Sequence, residues 1–280
     1  MERFIYKKAC GITALSASFT DFKYKKHYHE EYALGVTLRG IQKYSLDGSQ
    51  QASYQSGVML FHPEQSHDGW SQERTGIDYV MIYIHPQLFH ELIQKRDIIR
   101  FHTPIVYHAG LRQSILNVTR AIFTGKPEAL CSELLLRLAG HFNEDILRFE
   151  CKRDSGFAKK AKALMQEHLD HVLRLDEISL AFGMSKYQFI RSFKANTGMS
   201  PYQYYLNCKV ERAKHLIEDS RDVYLAVSQC GFTDLAHLNR HFKNVYGTTA
   251  YDYMSIWSDN LFLVRMDNMQ GKEAVSIGGR

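Results

Sequence analysis

The last third of the chain states one pattern twice. Arg191, Phe193, Lys194, Gly198, Tyr202 and Tyr204 return as Arg240, Phe242, Lys243, Gly247, Tyr251 and Tyr253, all at one offset of 49 residues. Upstream of each copy lie apolar residues and then a glycine turn, Gly183-Met184-Ser185 in the first and Gly231-Phe232-Thr233-Asp234 in the second. A duplicated helix, glycine turn and helix constrains this region to a tandem helix-turn-helix. The second helix of such a unit enters a DNA major groove. Double-stranded promoter DNA is therefore the expected partner.

Charge alone does not carry that expectation. The net charge is +5, but residues 155–260 hold 13 Lys and Arg against 11 Asp and Glu, so the arginines must act by placement. At 280 residues, 45% hydrophobic and 23% charged, the chain has room for two ordinary globular domains. The five cysteines (Cys10, Cys131, Cys151, Cys208, Cys230) are odd in number, without CxxC spacing, and the first residues lack the apolar core of a signal peptide. Both features predict a reduced, cytoplasmic protein. No apolar run approaches the ~18 residues of a membrane span, so no membrane partner is expected.

The fold class expected is α+β. Residues 30–84 read as short strands: Tyr32–Leu38, Ile41–Leu46, Ser49–Tyr54, Val58–Phe61 and Tyr79–Ile84, with Asp47-Gly48 as a hairpin turn. The period then changes. Leu88, Phe89, Leu92 and Ile93 predict a short helix, and Leu111–Phe123 and Glu128–Leu147 two longer ones. The polar stretch Phe149–Gly156 is the expected linker, dividing a domain at 1–150 from one at 157–256, with a tail at 257–280. Ala161, Leu164, Met165, His168 and Leu169 predict the first helix of the second domain.

Within the first unit, Phe189 and Phe193 are four apart and must face the core, with Ser185 as N-cap. Tyr187, Gln188, Ile190, Arg191 and Lys194 are left for DNA. In the second unit Leu238 and Phe242 face inward, Thr233 or Asp234 caps, and His237, Asn239, Arg240 and Lys243 remain outside. Arginine and asparagine can each make two parallel hydrogen bonds to a base, while the lysines suit phosphates. The repeated Tyr202/Tyr204 and Tyr251/Tyr253 read as packing residues. Pro201 opens a helix through Val210, Ala213, Leu216 and Ile217. A rod of roughly 17 residues is roughly 25 Å long, which suits two probes near the ~34 Å spacing of successive major grooves.

Leu175–Met254 closely resembles the DNA-binding domain of the AraC/XylS transcription regulators. The likeness rests on Ala181, Gly183-Met-Ser185, Phe189, Arg191-Ser-Phe193-Lys194, Gly198-Met-Ser-Pro201, Arg212-Ala213-Lys-His-Leu216, Cys230-Gly231-Phe232, Leu238-Asn-Arg240-His-Phe242-Lys243 and Tyr253. The resemblance implies that Arg191 and Arg240 contact bases or backbone, and that RNA polymerase is a partner of a transcription activator. Ala250 departs from the family, which usually has proline there.

The stretch Lys25–Ile84 resembles the small cupin-like β-barrel at the front of many such regulators. A small-molecule effector is then expected in the barrel, in a pocket lined by His27, His29, Glu31 and His67, the alternative for the histidines being a plainly structural role. Imidazoles at i and i+2 of a strand share a face and can share a metal with a third ligand. A cupin metal site usually adds a glutamate four or five residues beyond the second histidine, where this chain has Ala33 and Leu34. The reading therefore assigns no metal, no cofactor, no catalytic residue and no enzyme activity; its alternative is a cupin-type metal-dependent enzyme fused to a DNA-binding domain. Leu130, Leu134, Leu135, Leu138, Phe142 and Ile146 form a broad apolar stripe, which predicts either a homodimer or burial against the barrel.

Overall fold

A computed structural model describes residues 2–72, 74–94, 99–142, 146–149, 156–167 and 169–255. It begins with two strands that alternation over residues 30–84 does not reveal, β1 (Arg3–Ala9) and β2 (Ile12–Phe19). They form a hairpin whose turn residues Cys10 and Gly11 sit at φ 54° and 71°. Next come β3 (Lys23–His27), β4 (Tyr32–Arg39), β5 (Gln42–Leu46), β6 (Ser49–Ser53), β7 (Val58–Phe61), β8 (His67–Ser71) and β9 (Ile77–Ile84). The β5–β6 turn is at the expected Asp47-Gly48, both at positive φ as a primed turn requires. Helix α1 (Pro86–Ile93), short strands β10 (Ile99–Phe101) and β11 (Ile105–Val106), helices α2 (Ala109–Phe123) and α3 (Glu128–Ala139) and strand β12 (Leu147–Phe149) complete the front half.

Two antiparallel sheets make the barrel, one in the order β1-β2-β9-β4-β7-β11 and one in the order β3-β8-β5-β6. Residue parity divides the larger sheet between two cores. On β9, Ile77, Tyr79, Met81 and Tyr83 point into the barrel, while Val80, Ile82 and Ile84 lie under the helices with Leu111, Ile115, Val118, Ile122, Leu135 and Leu138. This double burial explains why β4 and β9 read as continuous apolar runs.

The helix expected over Glu128–Leu147 ends at Ala139. Beyond the Gly140 cap, Leu147 lies in β12, paired with Phe101 of β10. Its apolar stripe is thus shared between a helix and a strand that both face the same core, which helical spacing alone cannot separate. Most of the expected linker, the position of His168 and the tail from residue 256 lie outside the described residues.

The second half is all-helical: α4 (Gly156–Gln166), α5 (Leu175–Leu180), α6 (Lys186–Thr197), α7 (Pro201–Ser220), α8 (Val223–Gln229), α9 (Leu235–Tyr246) and α10 (Ala250–Ser255). The repeat in sequence is a repeat in backbone. Gly183 and Gly231 turn at φ 61° and 60°, and Gly198 and Gly247 end α6 and α9 at φ 73° and 76°. At 20 residues, α7 is longer than the spacing implied, a rod of about 30 Å. No helix among the described residues is long and apolar enough to cross a membrane.

The two halves share their interiors. The aromatic lining of the barrel (Phe19, Phe22, Tyr24, Tyr79, Tyr83) is continuous with the core of the second helix-turn-helix unit (Leu238, Phe242, Tyr246, Tyr253). Tyr28, at the barrel rim, belongs instead to the core of the first unit with Phe189, Phe193 and Tyr204.

Candidate functional site

Helix α6 starts with a reciprocal capping box. Gln188 N–H donates to Ser185 Oγ at 3.3 Å, and Ser185 N–H donates to Gln188 Oε1 at 2.9 Å. Phe189 and Phe193 are fully buried below it, which fixes the opposite face. That face presents Tyr187, Arg191 and Lys194 to solvent, with Ile190 half-buried. Gln188 is exposed, but its side-chain oxygen already serves the cap.

Helix α9 is capped by Asp234, which accepts from His237 N–H at 2.7 Å, while Thr233 lies outside the cap. Leu238 and Phe242 are buried and Arg240 is exposed, in the same register as Arg191. The other expected contact residues have protein partners. The His237 ring stands edge-on to Phe232 and its Nδ1 is 3.1 Å from the Thr233 hydroxyl. Lys243 pairs with Glu2 at 3.1 Å. Asn239 Oδ1 accepts the Ala250 N–H at 2.9 Å. This last bond is one that proline at position 250 could not make, because proline has no N–H to donate. Of the repeated tyrosines, Tyr204 and Tyr253 are buried as expected, but Tyr202 and Tyr251 are exposed, at equivalent positions beside the recognition helices.

A second group of polar residues gathers at the seam where α7 meets the barrel. Lys214 Nζ is 2.5 Å from Glu31 Oε1, with both side chains nearly buried. Glu211, one turn earlier, is buried and accepts from the Tyr246 hydroxyl at 2.6 Å. Glu31 is bonded to the ammonium, while Glu211 only feels its charge. Burial alone would raise the Glu31 pKa, but the Lys214 charge and hydrogen bond outweigh it and hold it below the usual carboxylate range. Glu211 goes the other way, pushed up to about 8 by burial, which the nearby Lys214 only partly offsets. Tyr28 and Asn207 exchange two hydrogen bonds of 3.1 Å, Lys8 pairs with Glu218 at 2.8 Å, and Tyr6 donates to the Tyr246 carbonyl at 2.7 Å.

Three of the four residues expected to line an effector pocket come together: His27, His29 and His67 are buried in mutual contact, with ring centroids 4.4–5.3 Å apart. The fourth, Glu31, belongs to the Lys214 pair. Burial holds all three imidazoles below their usual range, His67 at about 4, so the rings are neutral. The 3.9 Å approach of His29 Nδ1 to Glu211 is accordingly no ion pair. Both this trio and an outer group, Glu30, Glu211 and His215, have metal-ligand spacing. Beside the outer group a groove of about 280 Å³, lined by residues such as Glu30, Cys208, Arg212 and His215, runs between the barrel rim and α7. On α3, Leu135 and Leu138 are buried in the core shared with α2 and the sheet, while Leu134 is half-buried and Leu130 and Leu136 are exposed.

Comparison with known proteins agrees with this geometry. The AraC-like ligand binding domain matches residues 9–139 and a helix-turn-helix domain matches residues 178–255. The uncharacterized HTH-type transcriptional regulator YbfI of Bacillus subtilis is 25% identical over 225 residues, covering 77% of this chain and 82% of YbfI. The multiple antibiotic resistance protein MarA of Escherichia coli is 31% identical over 109 residues, 39% of this chain and 77% of MarA. Among solved structures, an apo form of ToxT from Vibrio cholerae superposes with a TM-score of 0.59 at 12% identity, over 89% of this chain and 99% of that one. A front barrel of the ligand-binding type joined to two equivalent, capped recognition helices thus makes this chain a member of the AraC/XylS family of DNA-binding transcription regulators.

Proposed function

We propose that this regulator is a cytoplasmic activator that reads two successive major grooves with one polypeptide and answers to a small polar effector at its barrel. The observation that carries the reading is the pair Arg191 and Arg240, exposed at equivalent positions on two helices whose caps and buried faces fix their orientation. Tyr187, Ile190 and Lys194 would join Arg191, and Lys243 would exchange Glu2 for phosphate. Gln188, His237 and Asn239 would contact DNA only through the atoms their intramolecular bonds leave over. In this division residues 1–150 receive the effector and 157–256 bind the promoter.

Regulation requires that the effector bind two arrangements of the seam with different affinity, since equal affinity shifts nothing. Residues at the seam, His29 and Glu31 among them, touch both halves and are where such a difference would be felt. RNA polymerase would be engaged by the DNA-bound form. A homodimer would form through the outer face of α3, whose Leu130 and Leu136 are exposed.

The test is footprinting of the promoter region with wild type and arginine variants. Arg191→Ala and Arg240→Ala should each weaken specific binding by about 1–3 kcal/mol, and affinity should fall steeply with salt. Unchanged affinity in both variants removes the assignment. For the dimer, sedimentation of Leu134→Glu should show monomer; a persisting dimer excludes α3 as its interface.

A further inference from the structure

The three buried imidazoles have their protons placed by the backbone. His27 Nδ1 lies 2.7 Å from the Lys25 carbonyl oxygen, and His67 Nδ1 lies 2.8 Å from that of Gln65. A carbonyl oxygen only accepts, so each Nδ1 is the protonated nitrogen and each neutral ring keeps a bare lone pair on Nε2. His29 Nε2 stands 3.2 Å from His27 Nε2. The Nδ1 of His29 is buried without a hydrogen-bond partner, and Glu211 Oε1 of α7 lies 3.9 Å from it.

Neither tautomer of His29 satisfies this arrangement by itself. With the proton on Nε2, His29 serves His27 but leaves its own Nδ1 lone pair stranded in the protein interior. With the proton on Nδ1, directed at Glu211, two Nε2 lone pairs oppose each other at 3.2 Å. A cation between them resolves the second case. One ligand atom from each of the three rings lies within 4.8 Å of the others. Imidazole nitrogens bound at about 2.0–2.1 Å in a tetrahedral set are roughly 3.4 Å apart. The His27–His29 pair, at 3.2 Å, is already near that spacing, and the third ring offers a ligand atom within 4.8 Å of both.

We propose that His27, His29 and His67 form a three-imidazole site for a first-row divalent transition metal of the zinc–cobalt class, with the Lys25 and Gln65 carbonyls and the Glu211 carboxylate as its outer partners. An all-nitrogen set disfavours magnesium and calcium, which take oxygen. The positions where the related enzyme sites carry a glutamate hold Ala33 and Leu34, and Glu31 is held by Lys214, so the set is three imidazoles without a carboxylate. Three protein ligands leave a position for water or a donor atom of the effector. In that sense the inference rests on the barrel being the effector-receiving half. Glu211 belongs to α7, so its part in the outer shell ties metal occupancy to the DNA-binding half.

The experiment uses the full chain stripped of metal with a chelator and titrated with cobalt(II) and zinc(II). Expected is one equivalent bound, a visible spectrum of low-coordinate cobalt, and X-ray absorption showing three imidazole ligands. His27→Ala, His29→Ala and His67→Gln should each weaken binding by at least about tenfold, and Glu211→Gln by about tenfold. His215→Ala, in the outer cluster, should bind as wild type. Absence of a stoichiometric equivalent, fewer than three imidazoles in the wild-type X-ray absorption spectrum, or loss of binding in His215→Ala alone would overturn the proposal. The wild-type spectrum decides the matter even where a histidine variant does not fold. Operator footprinting is a separate measurement, so a failed metal titration leaves the DNA reading standing, and the reverse holds equally.

Discussion

Replacing Lys214 by methionine tests the seam most directly. The substitution keeps the length of the side chain and removes its charge from between Glu31 and Glu211, all three of which are nearly or fully buried. Removing one member of a buried ion pair generally costs about 3–5 kcal/mol because the other is left uncompensated. Here the carboxyl has an escape, which sets a ceiling. Glu31 can take up a proton instead, and at pH 7 that costs about 3.4 kcal/mol for a carboxyl of ordinary pKa, at 1.36 kcal/mol per pH unit. Glu211, already pushed up to about 8, adds little because it is mostly protonated in the folded protein. The expected loss is therefore about 3 kcal/mol at pH 7, falling to about 1 kcal/mol near pH 5, where protonating Glu31 is cheap. Urea unfolding at both pH values measures it. The double variant Lys214→Met, Glu31→Gln should recover at least half of the loss at pH 7. A cost that does not vary with pH, or one that Glu31→Gln leaves untouched, refutes the role given to this pair.

Asn239→Ala should destabilise the second helix-turn-helix unit by about 1 kcal/mol, because the Ala250 N–H loses its acceptor; a melting temperature equal to wild type would mean that bond is immaterial. The seam should also be sensitive to acid through Glu218. Burial alone would raise its pKa, but Lys214, Lys8 and the Tyr253 hydroxyl together hold it below the usual carboxylate range. Its contribution is thus fully present above the unfolded carboxylate value and is lost as pH falls through the lowered one. Glu211 has the opposite sign: its contribution is fully present below the ordinary carboxylate range and is lost as pH rises through about 8. Protection of the α7 amides, taken against the intrinsic exchange rate at each pH, should therefore be greatest between these two ranges, and Glu211→Gln should flatten only the alkaline limb.

The tandem helices were legible because their determinants are local. A glycine at positive φ, a Ser or Asp three residues before a backbone N–H it accepts from, and phenylalanines four apart all lie within one short window. The β5–β6 hairpin was legible for the same reason. Strands β1 and β2 were not, because Arg3–Ala9 carries three cations and its turn is Cys10-Gly11, without the usual turn pair. The true extent of α3 was hidden as well, since Phe142, Ile146 and Leu147 serve the same core from beyond the helix. Among the candidate DNA residues, the exposure of Tyr187, Gln188, Arg191, Lys194, Arg240 and Lys243 followed from helical periodicity, but the half-burial of Ile190, His237 and Asn239 and the bonds of Asn239 to Ala250 and of Lys243 to Glu2 did not.

The seam was the least legible part, and its chemistry explains why. Its partners are paired across most of the chain: Glu31 with Lys214, Tyr28 with Asn207, Lys8 with Glu218, Tyr6 with Tyr246. On α7 the residues Glu211, Lys214 and Glu218 read as the solvated face of an amphipathic helix, since buried charges are rare unless paired. They are in fact paired, Lys214 with Glu31 and Glu218 with Lys8 of the barrel, and Glu211 and Glu218 with the Tyr246 and Tyr253 hydroxyls of α9 and α10, groups that only the tertiary fold brings together. The same fact gives the seam its capacity to respond. Apolar surfaces alone would weld the barrel to the second helix-turn-helix unit, as the shared aromatic core between Tyr83 and Tyr253 begins to do. A strip of buried charge beside that core makes the closed arrangement depend on the protonation and contacts of a few groups. A ligand that alters the surroundings of His29 or Glu31 then acts at the point where the balance is set.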